Sequence, residues 1–196
     1  DLMFIASEMH MVQQFLRVND QNTNGALSAA LPEFLELKLT LQPKDFVPDA
    51  NSTMRLTYGY IRGYEPEDGV YQTPFTTISG LIAKGEKTGD YEINEGLVAA
   101  YKNQDISQYM KPSLKDVPVG ILYNMDTTGG NSGSPVMNAK GELIGVNFDR
   151  AYTATINDFA WNEAYSRSIG VDIRFVLWVV DKVAGADFLL KEMKVK

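Results

Sequence analysis

Nine consecutive residues, Thr127-Thr128-Gly129-Gly130-Asn131-Ser132-Gly133-Ser134-Pro135, are the part of this chain best equipped for covalent chemistry. A serine nucleophile needs its hydroxyl held at a sharp turn, with main-chain N–H groups aimed at the oxygen that becomes negative in a tetrahedral intermediate. Glycine permits the backbone conformations such a turn requires, so the N–H groups of Gly130 and Ser132 can converge on one point as an oxyanion hole. An ordinary Gly/Ser/Asn-rich hairpin loop has much the same composition. What distinguishes this stretch is its setting: a strand signal before it, Pro135 after it, then strand, tight turn and strand. Ser132 is the candidate nucleophile, and Gly130 and Ser132 are the candidate oxyanion donors.

If the following hairpin turns near Ala139 and Lys140, the returning strand passes Ser132 at about Asn147. At about 3.3 Å per residue, Asp149 and Arg150 lie just beyond it. These three are the candidate substrate-binding residues. A guanidinium there would pair bidentately with a carboxylate on the substrate, and Asp149 could hold a cationic group. Spacing alone leaves other uses open: a surface ion pair of Arg150 with Asp158 or Glu163, and a turn-capping role for the Asp149 carboxylate.

Serine also needs a base, normally a histidine oriented by an aspartate. His10 is the only histidine in the chain. It sits at the border of an apolar helical stripe, where a solvated or packed histidine is commoner than a catalytic one. A self-sufficient hydrolase would need that helix to lie over the loop and form a His10–Ser132 dyad. A non-catalytic peptide-binding module would keep the pocket and lose turnover. With one histidine and no cysteine, the chain offers no structural zinc site, thiolate catalysis or disulfide, so neither metal nor cofactor is expected.

The elements that would position these groups change class along the chain. Leu2, Ile5, Met9, Val12 and Leu16 mark one helix over residues 1 to 18. Asn19 to Gly25 reads as a turn or linker, and a helical pattern interrupted at Pro32 resumes from Ala26 to Leu39. Strand signals follow at Thr53–Ile61 and Phe75–Ala83, then a helix at Asn94–Tyr109 and a buried-type strand at Val117–Met125. Ser134–Met137 and Glu142–Phe148 form the hairpin, and Ile173–Met193 is helical.

At 196 residues and 44% hydrophobic content, the chain is long enough for one substantial core plus an appendage. A formal charge of −7 argues against nucleic acid or an anionic membrane surface as partner. No apolar run reaches the roughly 18 to 20 residues of a membrane span, and no basic region precedes a hydrophobic stretch at the start to mark a signal peptide. The first residue is Asp1, as in a mature, processed or excised segment.

Gly130 to Pro135 resembles the G-[DN]-S-G-[GS]-P signature of chymotrypsin-clan serine peptidases. Asp49 to Gly59, Pro74 to Thr77, Thr127 to Pro135 and Gly145 to Arg150 closely resemble the bacterial dipeptidyl-peptidase family that contains dipeptidyl-peptidases 7 and 11. The resemblance runs from Phe46 to the C-terminus and is loose over residues 1 to 45 and Gly85 to Lys115. It implies a mainly β fold with helices: the C-terminal six-stranded barrel of a chymotrypsin-like double barrel (residues 46–196), preceded by the end of a helical cap domain (residues 1–45). It implies that the triad His and Asp belong to an absent first barrel, which becomes a partner of this chain. It also implies a homodimer in the full-length protein and location in the periplasm or at the surface of a Gram-negative bacterium. The Arg150 position carries Arg in acidic-specific members and Gly in those preferring hydrophobic residues, and Asp149 matches the position that binds the substrate's free α-ammonium group. The expected substrate is a peptide with Asp or Glu second from its N-terminus.

Overall fold

A computed structural model describes residues 2–41, 52–85, 89–158 and 161–195; no side-chain placement is described for residues 2–8, His10 and Asp158. Asp49 to Asn51, the start of one of the matched stretches, and the side chain of His10 therefore lie outside the described residues. The chain divides into two units, residues 1–46 and residues 47–196.

The described part of the first unit is one helix, α1 (Leu2–Leu41), with no break at Asn19–Gly25 and with Pro32 inside it. The expected linker is absent because its residues disfavour helix only mildly, by about 1 kcal/mol or less each. Two of its hydroxyl-bearing residues turn back onto the helix itself: Thr23 Oγ1 donates to the Asn19 carbonyl, and Thr40 does the same to Glu36, both at 2.9 Å.

The second unit is built on a five-stranded antiparallel sheet in the order β3-β4-β7-β6-β5. Its strands are β3 (Phe75–Thr77), β4 (Pro118–Tyr123), β5 (Pro135–Met137), β6 (Leu143–Arg150) and β7 (Ser168–Asp172). A separate hairpin, β1 (Tyr64–Glu67) and β2 (Val70–Gln72), precedes it. Among the described residues β3 and β5 are the free edges, so the sheet is open and the six-stranded barrel expected from the resemblance is not closed here.

Several elements differ from the sequence reading. Thr53–Ile61 is not a strand: only Ile61 bridges to Tyr123, although the Tyr60 carbonyl and the Arg62 N–H bond to Asn124 and Leu122 along the same edge of β4. The Phe75–Ala83 strand stops at Thr77, whose hydroxyl accepts the Gly80 N–H and caps α2 (Ile78–Lys84). The Asn94–Tyr109 helix is α3 (Glu95–Asn103), capped by the Asn94 side chain, followed by a separate 3-10 turn at Ser107–Tyr109. The C-terminal helix is two: α4 (Ile173–Trp178), extended by a π-turn at Val179–Val183, and α5 (Asp187–Glu192). They are separated at Gly185, which takes φ +61°.

β7 was not read from the sequence, yet it is the central strand. Its pattern, Ser168-Ile169-Gly170-Val171-Asp172, buries two polar residues and so lacks the apolar alternation of a core strand. Asp172 is fully buried because it caps α4 through the Arg174 N–H and holds the Arg174 guanidinium in a two-pronged ion pair. Two apolar clusters hold the unit together. Ile78, Ala100, Tyr109, Val117 and Trp178 join the helices to the start of β4, and Ile121, Tyr123 and Val136 lie within the sheet.

Candidate functional site

The loop between β4 and β5 is anchored at its root before it turns. Ser168 Oγ donates to the Met125 carbonyl at 2.8 Å, so the 2.6 Å contact between Ser168 and Thr127 has the Thr127 hydroxyl as donor. Both side chains are buried, which ties the incoming limb of the loop to the central strand.

Past Thr127 the loop is organised by Asn131. Its Oδ1 accepts the Thr128 N–H at 3.0 Å. The Asn131 carbonyl accepts both the N–H and the hydroxyl of Ser134, at 3.0 and 2.6 Å. This side-chain-to-backbone pattern is why Asn suits a tight turn. Gly130 and Gly133 take φ of +89° and +82°, in the left-handed region, so the chain reverses on both sides of Ser132. The Gly133 N–H donates to the Asn147 carbonyl and the Asn147 N–H to the Ser134 carbonyl, both at 2.9 Å. These two bonds carry the β5–β6 ladder into the loop and hold Ser132 at an exposed tip.

Among the described residues Ser132 Oγ makes one hydrogen bond, a long 3.4 Å donation to the Phe148 carbonyl. No acceptor among the described residues takes the N–H of Gly130 or Ser132. The expectation that the returning strand passes Ser132 at Asn147 holds to within a residue: Asn147 bonds Gly133 and Ser134, and Phe148 meets Ser132.

Phe148 is a bulge. Asn147 stands opposite Gly170 and Asp149 opposite Ile169, so Phe148 has no opposite residue, and its ring is exposed. After it, Asp149 is exposed and Arg150, paired with Ser168, is half-buried. The Asp149 carboxylate accepts the Arg150 main-chain N–H at 2.8 Å, which is a local capping use. Glu163, one of the two ion-pair partners considered for Arg150, is instead engaged by Arg62 at 3.3 Å and by the Asn124 amide at 2.6 Å. The Asp158 side chain lies outside the described residues.

Asn147 differs from its neighbours. Its side chain is buried and accepts the Tyr123 hydroxyl at 2.5 Å, so this group serves the sheet interior. Burial raises the Tyr123 phenol well above its ordinary value, which keeps it a neutral donor to Asn147.

Four contributors escaped the sequence reading. Asn131 had a signal, an amide side chain inside a glycine-rich turn. Thr128 and Arg55 had none: Arg55 Nη1 donates to Thr128 Oγ1 at 3.2 Å across 73 residues of chain. Phe148 depended on a register shift invisible in composition.

The peptidase S46 family model matches residues 2–195. An Asp/Glu-specific dipeptidyl-peptidase of Shewanella putrefaciens is 37% identical over 194 residues, covering 87% of this chain and 26% of that protein. One from Flavobacterium psychrophilum is 43% identical over 174 residues, covering 87% of this chain and 24% of its own length. Among solved structures, Porphyromonas endodontalis DPP11 in complex with the dipeptide Arg-Asp superposes with a TM-score of 0.74 at 39% identity, over 85% of this chain and 24% of that one. The chain thus spans about a quarter of the length of the relatives it matches.

Proposed function

Because this chain belongs to the peptidase S46 family, we propose that it is the nucleophile-bearing part of a serine dipeptidyl-peptidase that releases N-terminal dipeptides with Asp or Glu as their second residue. The observation that carries this reading is the placement of Ser132. It stands exposed between two glycines in the left-handed region, on a loop fastened to β6, beside main-chain N–H groups that no described acceptor occupies. The names of the relatives and the Arg-Asp dipeptide of the solved structure support the acidic preference.

In this proposal Ser132 Oγ attacks the carbonyl of the substrate's second residue, and the N–H groups of Gly130 and Ser132 receive the oxyanion. Arg150 pairs with the acidic side chain of that residue, and Asp149 binds the free α-ammonium group and so counts two residues from the N-terminus. Asn147 contributes to substrate binding indirectly, through the Tyr123 bond that fixes β6. The 3.4 Å contact to a carbonyl does not activate Ser132, so the base and its orienting aspartate come from the part of the longer protein this chain does not span. Residues 1–45 are then the end of a helical cap, and the open sheet completes a six-stranded barrel facing a first barrel. The full-length enzyme is a homodimer of the periplasm or cell surface.

The test is release of a fluorescent group from Leu-Asp and Leu-Leu conjugates, by this chain alone and together with the remainder of a longer family member. Turnover only in combination is expected, with Leu-Asp preferred and the preference lost in Arg150→Gly. Turnover by the chain alone would reject the need for a supplied base and favour a His10 dyad. No turnover in either case would favour a peptide-binding module.

A further inference from the structure

Residues 54 to 58 have no regular secondary structure, and their exposure alternates along the chain. Arg55 and Thr57 are half-buried, whereas Met54, Leu56 and Tyr58 are 99, 90 and 88% exposed. The segment is not a loose tail. It leads into Tyr60 and Arg62, which bond to β4, and Arg55 on its inner face holds Thr128 at the base of the nucleophile loop. Three large apolar side chains at period two, bare on one face of a tethered segment, are the surface pattern of an unfilled interface. With some three quarters of the matched relatives' length unspanned by this chain, a covering polypeptide is at hand.

Resting on the reading above that the chain is part of a longer peptidase, we infer that the Met54–Leu56–Tyr58 face seats the portion of the longer protein that this chain does not span. Covering that face immobilises Arg55 against Thr128, so the same contact that assembles the protein steadies the loop carrying Ser132.

Cysteine labelling tests this directly, because the chain has no cysteine of its own. Leu56→Cys and Tyr71→Cys in this chain should react with a maleimide at comparable rates, both residues being exposed. With thiols at the two matched positions of the full-length Flavobacterium psychrophilum relative, the Leu56 position should react at least tenfold more slowly and the Tyr71 position should not. Tyr58→Cys serves if the Leu56 variant folds poorly. Equal rates at both positions of the full-length protein would overturn the proposal. So would protection of Leu56→Cys in this chain alone that grows with concentration, since a second copy would then be the occupant. Arg55→Ala should speed amide exchange at Asn131 and Gly133 at least tenfold, and unchanged exchange would reject the link to the loop. None of these readings requires turnover, so they stand apart from the failure or success of the catalytic assignment.

Discussion

The Gly133 N–H meets the Asn147 carbonyl at 2.9 Å, one residue past the candidate nucleophile in the loop and one residue before the bulge on β6. This bond joins the two features that shape the site, the glycine turn and the shifted end of β6.

Gly133→Ala probes that junction. A Cβ there would meet nothing within 4 Å, so the substitution introduces no clash, but φ of +82° disfavours any L side chain. The cost should be about 1–2 kcal/mol, falling on the loop. In the assembled enzyme, labelling of Ser132 by a phosphonate should slow at least tenfold while the urea midpoint shifts only modestly. Ser132→Ala should abolish labelling with no loss of stability, because the hydroxyl is exposed and makes only a long contact.

Tyr123→Phe removes a buried hydroxyl and leaves the Asn147 side-chain Oδ1 without its donor. A loss of about 1–3 kcal/mol in urea unfolding is expected. In the parent chain, burial raises this phenol above the ordinary 10.0, so the folded state binds the proton more tightly than the unfolded one. The stability it contributes is complete below pH 10 and is lost as pH rises beyond it. Absorbance titration should show Tyr123 among the tyrosines that resist ionisation until the fold opens, and Tyr123→Phe should lower their number by one.

Asp116 behaves oppositely. Its burial opposes the charge, but hydrogen bonds from the Ser79 hydroxyl at 2.6 Å, the Ser79 and Val117 N–H groups and the Tyr101 hydroxyl outweigh that and hold its carboxyl below the ordinary range. The folded state therefore releases this proton more readily, and the resulting stability is present above pH 4 and lost as pH falls through the lowered value. Asp116→Asn should be less stable than the parent at pH 7 by about 1–3 kcal/mol, with the gap closing in acid. A constant gap between pH 7 and pH 2 would reject this account.

Arg167 is a buried cation that works through carbonyls. Its guanidinium donates to Gly63 twice, at 3.1 and 2.9 Å, and to Glu163 and Ser166, at 3.0 and 2.6 Å, which ties the β1–β2 hairpin to the sheet. Arg167→Lys cannot reproduce this fork and should cost about 1–3 kcal/mol. Proteolysis should then begin in the hairpin. Gly63→Ala should loosen the same place, since a Cβ would stand 2.2 Å from the Gln72 carbonyl oxygen.

The legible part of this site was its local chemistry. Ser132, the flanking glycines and the hairpin through Gly141 could be read because a turn's residues announce the turn, and the distance along β6 followed from strand geometry. Contacts between distant segments could not be read, among them Arg55 with Thr128 and Tyr123 with Asn147. β7 was hidden because its inward positions hold Ser168 and Asp172, polar groups satisfied by Met125 and Arg174. The β1–β2 hairpin was a missed signal rather than a hidden one: Asp68-Gly69 lies between its strands, and Gly69 takes φ +77°. The Thr53–Ile61 strand failed for the reverse reason: its β composition meets a neighbouring strand only at its end, where Ile61 bridges to Tyr123, so no ladder forms along it.

The unpaired Phe148 also resets the phase of β6. Side chains on a strand alternate between faces, so a residue without an opposite number reverses the alternation for all that follow. Asp149 and Arg150 owe their order of exposure to that reversal. Were Phe148 paired in the ladder instead of bulged, Asp149 and Arg150 would each fall on the opposite face, so which of the two charges lies half-buried is decided by one unpaired residue as much as by the Asp-Arg order itself.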